Sequence, residues 1–371
     1  MHRIALAIGV ICLGISTLVH SDDTIEIASG VAPDHPQQPQ LAIDPSGTVH
    51  AVYGANNRIF YSRLPQGDKS FQSPVALPTT GVISLGMRRG PRIAVAGKSI
   101  CVSIIGGQQG KGRDGDLLAF HSTDGGQDWS GPVPVNDIAA SAREGLHAMA
   151  AGPNEQLCCV WLDLRSKKTE IFAAVSVDGG ATWGQNRLVY RSPDGSVCEC
   201  CHPSVAFDAR GTLHVMWRNS LADARDMYLV NSSDGGKTFG EATKLGTGTW
   251  PLKACPMDGG FLAISPQGKV TTTWRRDNQI FLARPEESEQ QLGIGRQPWI
   301  AATSSGSHIL WVSQRNGKLL YLAPRQKAPV ELSNTANDPV IVAGADGSVT
   351  AAWEERRDEK SVLLGRRIAG E

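Results

Sequence analysis

The sequence predicts an all-β protein: a β-propeller of seven four-stranded blades, with six as the alternative count, closed by a strand from the N-terminal end. Three observations predict it. A short strand-like phrase recurs seven times, a large side chain follows each copy at a near-constant offset, and a Ser-x-Asp-Gly-Gly turn ending in an aromatic recurs three times. Self-similarity at a fixed period is the mark of a repeat architecture, and it outweighs any reading of single segments.

The chain opens with Met1-His2-Arg3 and an apolar run from Ile4 to Val19. A positive start, a short apolar run and small residues at its end read as a signal peptide over residues 1–21, leaving a single propeller domain over 22–371. About 16 apolar residues are short for a bilayer span, so no membrane span is expected after signal removal. The location expected is periplasmic or secreted. Thr24 to Ala28 follows, and it is expected to supply the outer strand that the last repeat lacks. Closure of the ring in this way removes free sheet edges.

The phrase begins at Pro39, Pro91, His147, Pro203, Gly260, Pro298 and Pro339. The large side chains that follow, Tyr53, Ile105, Trp161, Trp217, Trp274, Trp311 and Trp353, end the second strand of each unit. In five copies a glycine stands between the two, at Gly47, Gly211, Gly268, Gly306 and Gly347. A tight hairpin needs positive φ at such a position. A third strand and a weaker fourth complete each unit, and units of roughly 40 to 60 residues with four short strands are propeller blades.

The three turns are Ser122 to Trp129, Ser176 to Trp183 and Ser232 to Phe239. In each, Ser and Asp side chains are expected to bond turn amides, paired glycines supply backbone freedom, and the aromatic plugs the hairpin against its blade. These segments resemble the Asp boxes, or BNR repeats, of the sialidase-like superfamily. The resemblance implies a propeller fold and an activity on glycans. It also implies three arginines that grip a substrate carboxylate, a tyrosine nucleophile paired with a glutamate, and an aspartate acid. Arg89 and Arg296 stand two residues ahead of repeat prolines and resemble the first of those arginines. Tyr53, Tyr61, Tyr190, Tyr228 and Tyr321 all fall in or near strands. The sialidase nucleophile is therefore not identifiable, and ordinary cleavage of a sialoside is not expected.

Strand direction alternates within a blade, so the segments before the phrases share a face with the loops after the large side chains. The Asp boxes lie on the other face and are structural. The first face gathers Arg89, Arg143, Arg218, Arg275, Arg276 and Arg296, whose planar guanidinium forks suit an anionic small molecule or glycan. Lys plus Arg and Asp plus Glu number 36 each. No overall field draws nucleic acid, and charge must act locally. A diverged glycoside hydrolase is the enzyme reading, with Asp163, Asp258 and Asp277 as its carboxylates. A protein-binding scaffold is the third reading and calls for a broad apolar patch.

Eight cysteines are present, one of them, Cys12, in the leader. Cys198, Cys200, Cys201 and His202 lead into the fourth repeat, and Cys255 and Met257 into the fifth. Three readings stand. Two disulfides would staple the loops in an oxidising compartment, with the pairing open. The same six residues could hold a metal, copper or zinc being what thiolate, thioether and imidazole suit. A catalytic thiol is the third. Cys101, Cys158 and Cys159 lie on strands and are expected to be buried, with Cys158 and Cys159 on opposite sheet faces.

Overall fold

The computed structural model describes residues 24–79 and 81–368; the signal-peptide reading of residues 1–21 lies outside them. Every regular element among the described residues is a strand. The protein is an all-β propeller, and the antiparallel hairpins fall where the repeats place them. The first blade contains Gln37–Ile43, Val49–Ala55, Arg58–Leu64 and Val75–Ala76. The second contains Arg92–Ala96, Ser99–Gly107, Asp116–Ser122 and Ser130–Pro134, with Val82–Ile83 added beside Ser99–Gly107. The third runs from His147–Ala151 to Arg187–Tyr190, the fourth from Ser204–Phe207 to Thr243–Lys244, and the fifth from Gly260–Ile264 to Gln290–Ile294.

The blade count differs from the expected seven, or six. Five blades stand as separate sheets, and the remaining strands join into one continuous seven-stranded sheet. The cause is a single long strand, Val330–Ala343. Its first part pairs with Gly317–Leu322 and its second with Val349–Arg357, so no break divides the two sets. Thr24–Val31 lies on the edge of this sheet, antiparallel to Lys360–Ile368, with Thr24 opposite Arg366 and Val31 opposite Lys360.

The core lies between neighbouring blades. Cys159, Trp161, Cys101 and Ile105 form one apolar cluster, while Cys158 joins Val205 and Trp217 in the next. Alternation along one strand thus feeds two cores. Burial pushes the Cys101 thiol up to about 12 and the thiols of Cys158 and Cys159 up as well, so all three are inert packing groups. Trp161, Trp217, Trp311 and Trp353 are fully buried, and each contributes on the order of 3 kcal/mol by burial. The hairpin glycines Gly47, Gly211, Gly268, Gly306 and Gly347 all have positive φ, from 77° to 138°.

The three Asp boxes share one bonding pattern. Ser122, Ser176 and Ser232 each donate to the Asp two residues on, at 2.8 Å, and accept from the second glycine amide at 2.9 Å. A Cβ on Gly180 would stand 2.7 Å from Cys101 Sγ of the preceding blade, at a φ of 95°. The second glycine therefore serves two ends, the turn and close contact between blades. Trp129, Trp183 and Phe239 are half-buried and pack against the same inter-blade clusters.

Candidate functional site

One broad cavity of about 830 Å³ opens on the face formed by the segments ahead of the phrases and after the large side chains. Three of the first strands enter it through the same distortion. Pairing register slips between Gln37 and Gln40, between Arg296 and Trp299, and between Asn337 and Val340. Within each slip one residue before a proline takes positive φ: Gln38 at 57°, Gln297 at 54° and Asp338 at 44°. Proline cannot donate to the ladder, and a bulge with a left-handed residue re-aims the side chain. Non-glycine residues held in this region cost about 1–3 kcal/mol each, an outlay that clusters at functional sites.

These three side chains knit the cavity floor. Gln297 Nε2 donates to Asp338 Oδ1 at 2.8 Å, and the Asp338 amide donates to Gln297 Oε1 at 2.9 Å. The Gln297 amide donates to Asp258 Oδ2 at 2.9 Å, and the Gln38 amide donates to Glu354 Oε1. Arg88 is 4% exposed, with Nη1 3.6 Å from Asp338 Oδ1 and its guanidinium over the rings of Trp299 and Phe261. Arg275 Nε stands 3.0 Å from Asp258 Oδ2. Buried Arg88 Nη2 and Asp258 Oδ1 have no protein hydrogen-bond partner.

Burial pushes the Glu354 carboxyl well above the usual carboxylate range, with the neighbouring Asp338 charge adding to it. Burial also raises Asp338, against the opposing pull of Arg88. The Asp338 charge thus disfavours ionisation of Glu354.

Of the arginines expected on this face, Arg275 and Arg296 line the cavity. Arg89 does not: its Nε donates to the Glu144 carbonyl at 2.7 Å, and the adjacent Arg88 reaches the cavity instead. Arg143 is exposed outside the lining. Arg218 is a strut, buried and donating to the carbonyls of Asp258, Arg225 and Arg275. Arg276 pairs with Glu289 at 2.7 Å. Of the carboxylates, only Asp258 is in the cavity. Asp163 is fully buried and held by Ser141, Trp161 and Arg165, and exposed Asp277 turns away while its carbonyl accepts from Arg275. None of the five tyrosines lines the cavity. Gln38, Gln297, Arg315 and Asp338 are lining residues that the sequence reading missed, while Arg88, Glu354 and Arg356 come from segments it placed on this face without naming them as site members. The repeated Gln-Pro, Gln-Pro and Asp-Pro steps at positions 38, 297 and 338 were the signal that could have found three of them.

The cysteine segments do meet. Cys200 and Cys255 form a disulfide. Cys198 Sγ lies 3.0 Å from Cys201 Sγ and 3.7 Å from Cys200 Sγ. The hydrogen bond between the two thiols pulls the Cys198 thiol down to about 7, aided by the charges of Arg218 and Arg225. The six-residue metal set is not assembled: His202 packs on Phe261 with Nδ1 against its neighbouring Pro203 carbonyl, and Met257 lines the cavity. With Cys200 bonded to Cys255, two of the clustered thiols remain, fewer than the three or four protein ligands of a zinc site. The sulfurs of Cys198, Cys200 and Cys201 all lie within 4.8 Å of one another, close enough to share an ion if Cys200 is released from Cys255.

A β-propeller with a charged cavity at the meeting of its blades defines the class of protein. Residues 93–271 match the family model described as the BNR repeat-like domain. That stretch carries BNR-like repeats, and the fold resembles that of sialidase-like β-propellers. Among solved structures it is similar to an alpha-L-arabinanase of Penicillium chrysogenum complexed with arabinobiose, at 13% identity and a TM-score of 0.57, covering 92% of this chain and 97% of that one. It is also similar to an alpha-L-arabinofuranosidase of Fusarium graminearum, at 12% identity and 0.55, covering 93% and 97%. A sialidase of Trypanosoma rangeli in complex with the inhibitor DANA gives 12% and 0.55, covering 94% of this chain and 58% of that one. At these identities the likeness is one of fold. No curated protein matches the sequence.

Proposed function

We propose that this protein is an exported β-propeller whose cavity binds an anionic saccharide, a sugar bearing a carboxylate or sulfate. The observation that carries this reading is the lining: Arg88, Arg275, Arg296, Arg315 and Arg356 face the cavity together. The carboxylates there leave much of that charge unanswered. Asp258 is taken up by Arg275 and Gln297, Glu355 by Arg357, and burial disfavours ionisation of Asp338 and Glu354. Guanidinium forks in a partly desolvated pocket suit bidentate recognition of such anions. The solved relatives were crystallised with arabinobiose and with a sialidase inhibitor, which supports a sugar as ligand. The Cys200–Cys255 disulfide supports an oxidising, exported location.

Calorimetric titration with uronate-containing and neutral oligosaccharides tests the reading. The acidic ligand should bind at least about tenfold more tightly, and the margin should shrink as salt screens the arginines. Equal binding of both, or none of either, sinks it.

Hydrolysis of that glycan is a second reading, favoured by the Glu354 carboxyl, which is raised as a general acid requires. Release of reducing ends from the ligand that binds, lost in Glu354→Gln with binding kept, is the result expected of a hydrolase. With no tyrosine lining the cavity, a fluorogenic sialoside should not turn over at the ~10 per second common to enzymes.

A further inference from the structure

The cysteine cluster sits beside the cavity and reaches its wall through Cys255. Its four sulfurs divide by exposure. Cys198 and Cys201 are each 1% exposed, whereas Cys200 is half-buried and Cys255 is exposed on the cavity wall. The buried pair belongs to a Cys-x-x-Cys stretch, Cys198 to Cys201, with the Cys201 amide turned back on the Cys198 carbonyl. The Cys198 amide is fixed on the Arg218 carbonyl at 3.1 Å. One strand end thus holds a buried thiol pair against one sulfur of a partly exposed disulfide.

We propose that the four cysteines are a thiol–disulfide exchange site, in which Cys198 attacks Cys200 and passes the Cys200–Cys255 disulfide to the buried Cys198–Cys201 pair. The contacts order the steps. Cys198 as thiolate attacks Cys200 Sγ, 3.7 Å away; the Cys198–Cys200 bond forms, the Cys200–Cys255 bond breaks, and its electron pair leaves on Cys255. Exposed Cys255 takes a proton from water. Cys201 then loses its proton to solvent and attacks Cys198 Sγ, 3.0 Å away, so that Cys198–Cys201 forms and Cys200 leaves as a thiolate. One disulfide is lost and one gained, and no oxidant is consumed.

The product presents a Cys200 and Cys255 dithiol with exposed Cys255 on the cavity wall, so the substrate class is a small-molecule disulfide. The Cys255 thiolate attacks it, releasing one thiol and leaving a mixed disulfide. Cys200 attacks Cys255 Sγ, releases the second thiol and restores Cys200–Cys255. The chain gains its second disulfide while one small disulfide is reduced to two thiols.

The test uses the full chain brought to one disulfide, with one equivalent of dithiothreitol where needed, at pH 7.5. Wild-type protein is held with iodoacetamide under native conditions and mapped by mass spectrometry. Cys255 should become alkylated although it starts in a disulfide, and about tenfold more slowly in Cys198→Ser. Cys201→Ser removes the second step, so it should accumulate a Cys198–Cys200 link with Cys255 free, a gain that misfolding cannot mimic. With glutathione disulfide, the wild type should release two glutathiones per chain and end with Cys198–Cys201 bonded. Alkylation of Cys255 that is absent, or equal in wild type and Cys198→Ser, overturns the proposal. So does a stoichiometric metal on Cys198, Cys200 and Cys201 in the isolated protein.

Discussion

The second to fourth blades and the remaining part of the ring, residues 250–368 with the first blade, are built on one repeat yet do different work. The former carry the Asp boxes and the most regular sequence. On their cavity-side face, however, polar groups are spent on the fold: Asp163 holds Trp161 and Arg165, and Arg218 holds three carbonyls. The latter lacks Asp boxes and supplies nearly all of the cavity lining, through bulged first strands and left-handed residues. The difference teaches that the loudest motif marks the scaffold. A turn that must bond itself repeats faithfully, while a site needs different side chains from each blade.

Four substitutions sharpen or break this contrast, taken from the largest effect down. Asp163→Ala strips a fully buried carboxylate from Trp161, Ser141 and Arg165 and should cost about 3–5 kcal/mol by urea unfolding. Saccharide binding by the folded fraction should be unchanged; lost binding with intact stability would move the site to the Asp-box side. Trp183→Ala removes a half-buried plug, so its cost should be about 1–3 kcal/mol, again without effect on binding.

Arg296→Ala, on the cavity side, should leave the unfolding midpoint in place and weaken the acidic saccharide about tenfold, or ~1.4 kcal/mol, by calorimetry. A variant that binds as the wild type does would remove Arg296 from the reading. The smallest effect is a pH dependence at Glu354. Its carboxyl is raised in the fold, so its contribution is fully present below the unfolded value of about 4 and is lost as pH rises through the folded one. Glu354→Gln escapes that loss. Its Tm advantage over wild type should be near zero at pH 4 and reach about 1–3 °C at pH 8. An advantage that is largest at pH 4 contradicts the raised carboxyl.

The aromatic plugs show where sequence reading overreached within the legible half. Trp129, Trp183 and Phe239 were expected as plugs and do pack on the inter-blade clusters, yet they remain half-exposed because each caps the rim of a blade. Arg89 shows the same in the other half. Counting two residues back from a proline gave Arg296 correctly and Arg89 incorrectly, because Arg296–Thr303 carries a bulge at that point while Arg92–Ala96 starts only after Gly90.

The sequence by itself determined the all-β propeller, the hairpin glycines, the structural Asp boxes, the buried strand cysteines and the meeting of the two cysteine segments. All of these follow from short-range periodicity and turn chemistry, which a repeat states many times over. Only the tertiary structure decided that Val330–Ala343 runs unbroken through two strand sets, that Cys200 pairs with Cys255, and that Asp338 and Glu354 share a cavity with Arg88. Those facts depend on which residues from distant repeats converge near the axis. A bulge of one residue redirects a side chain there, and pattern alone leaves that direction open.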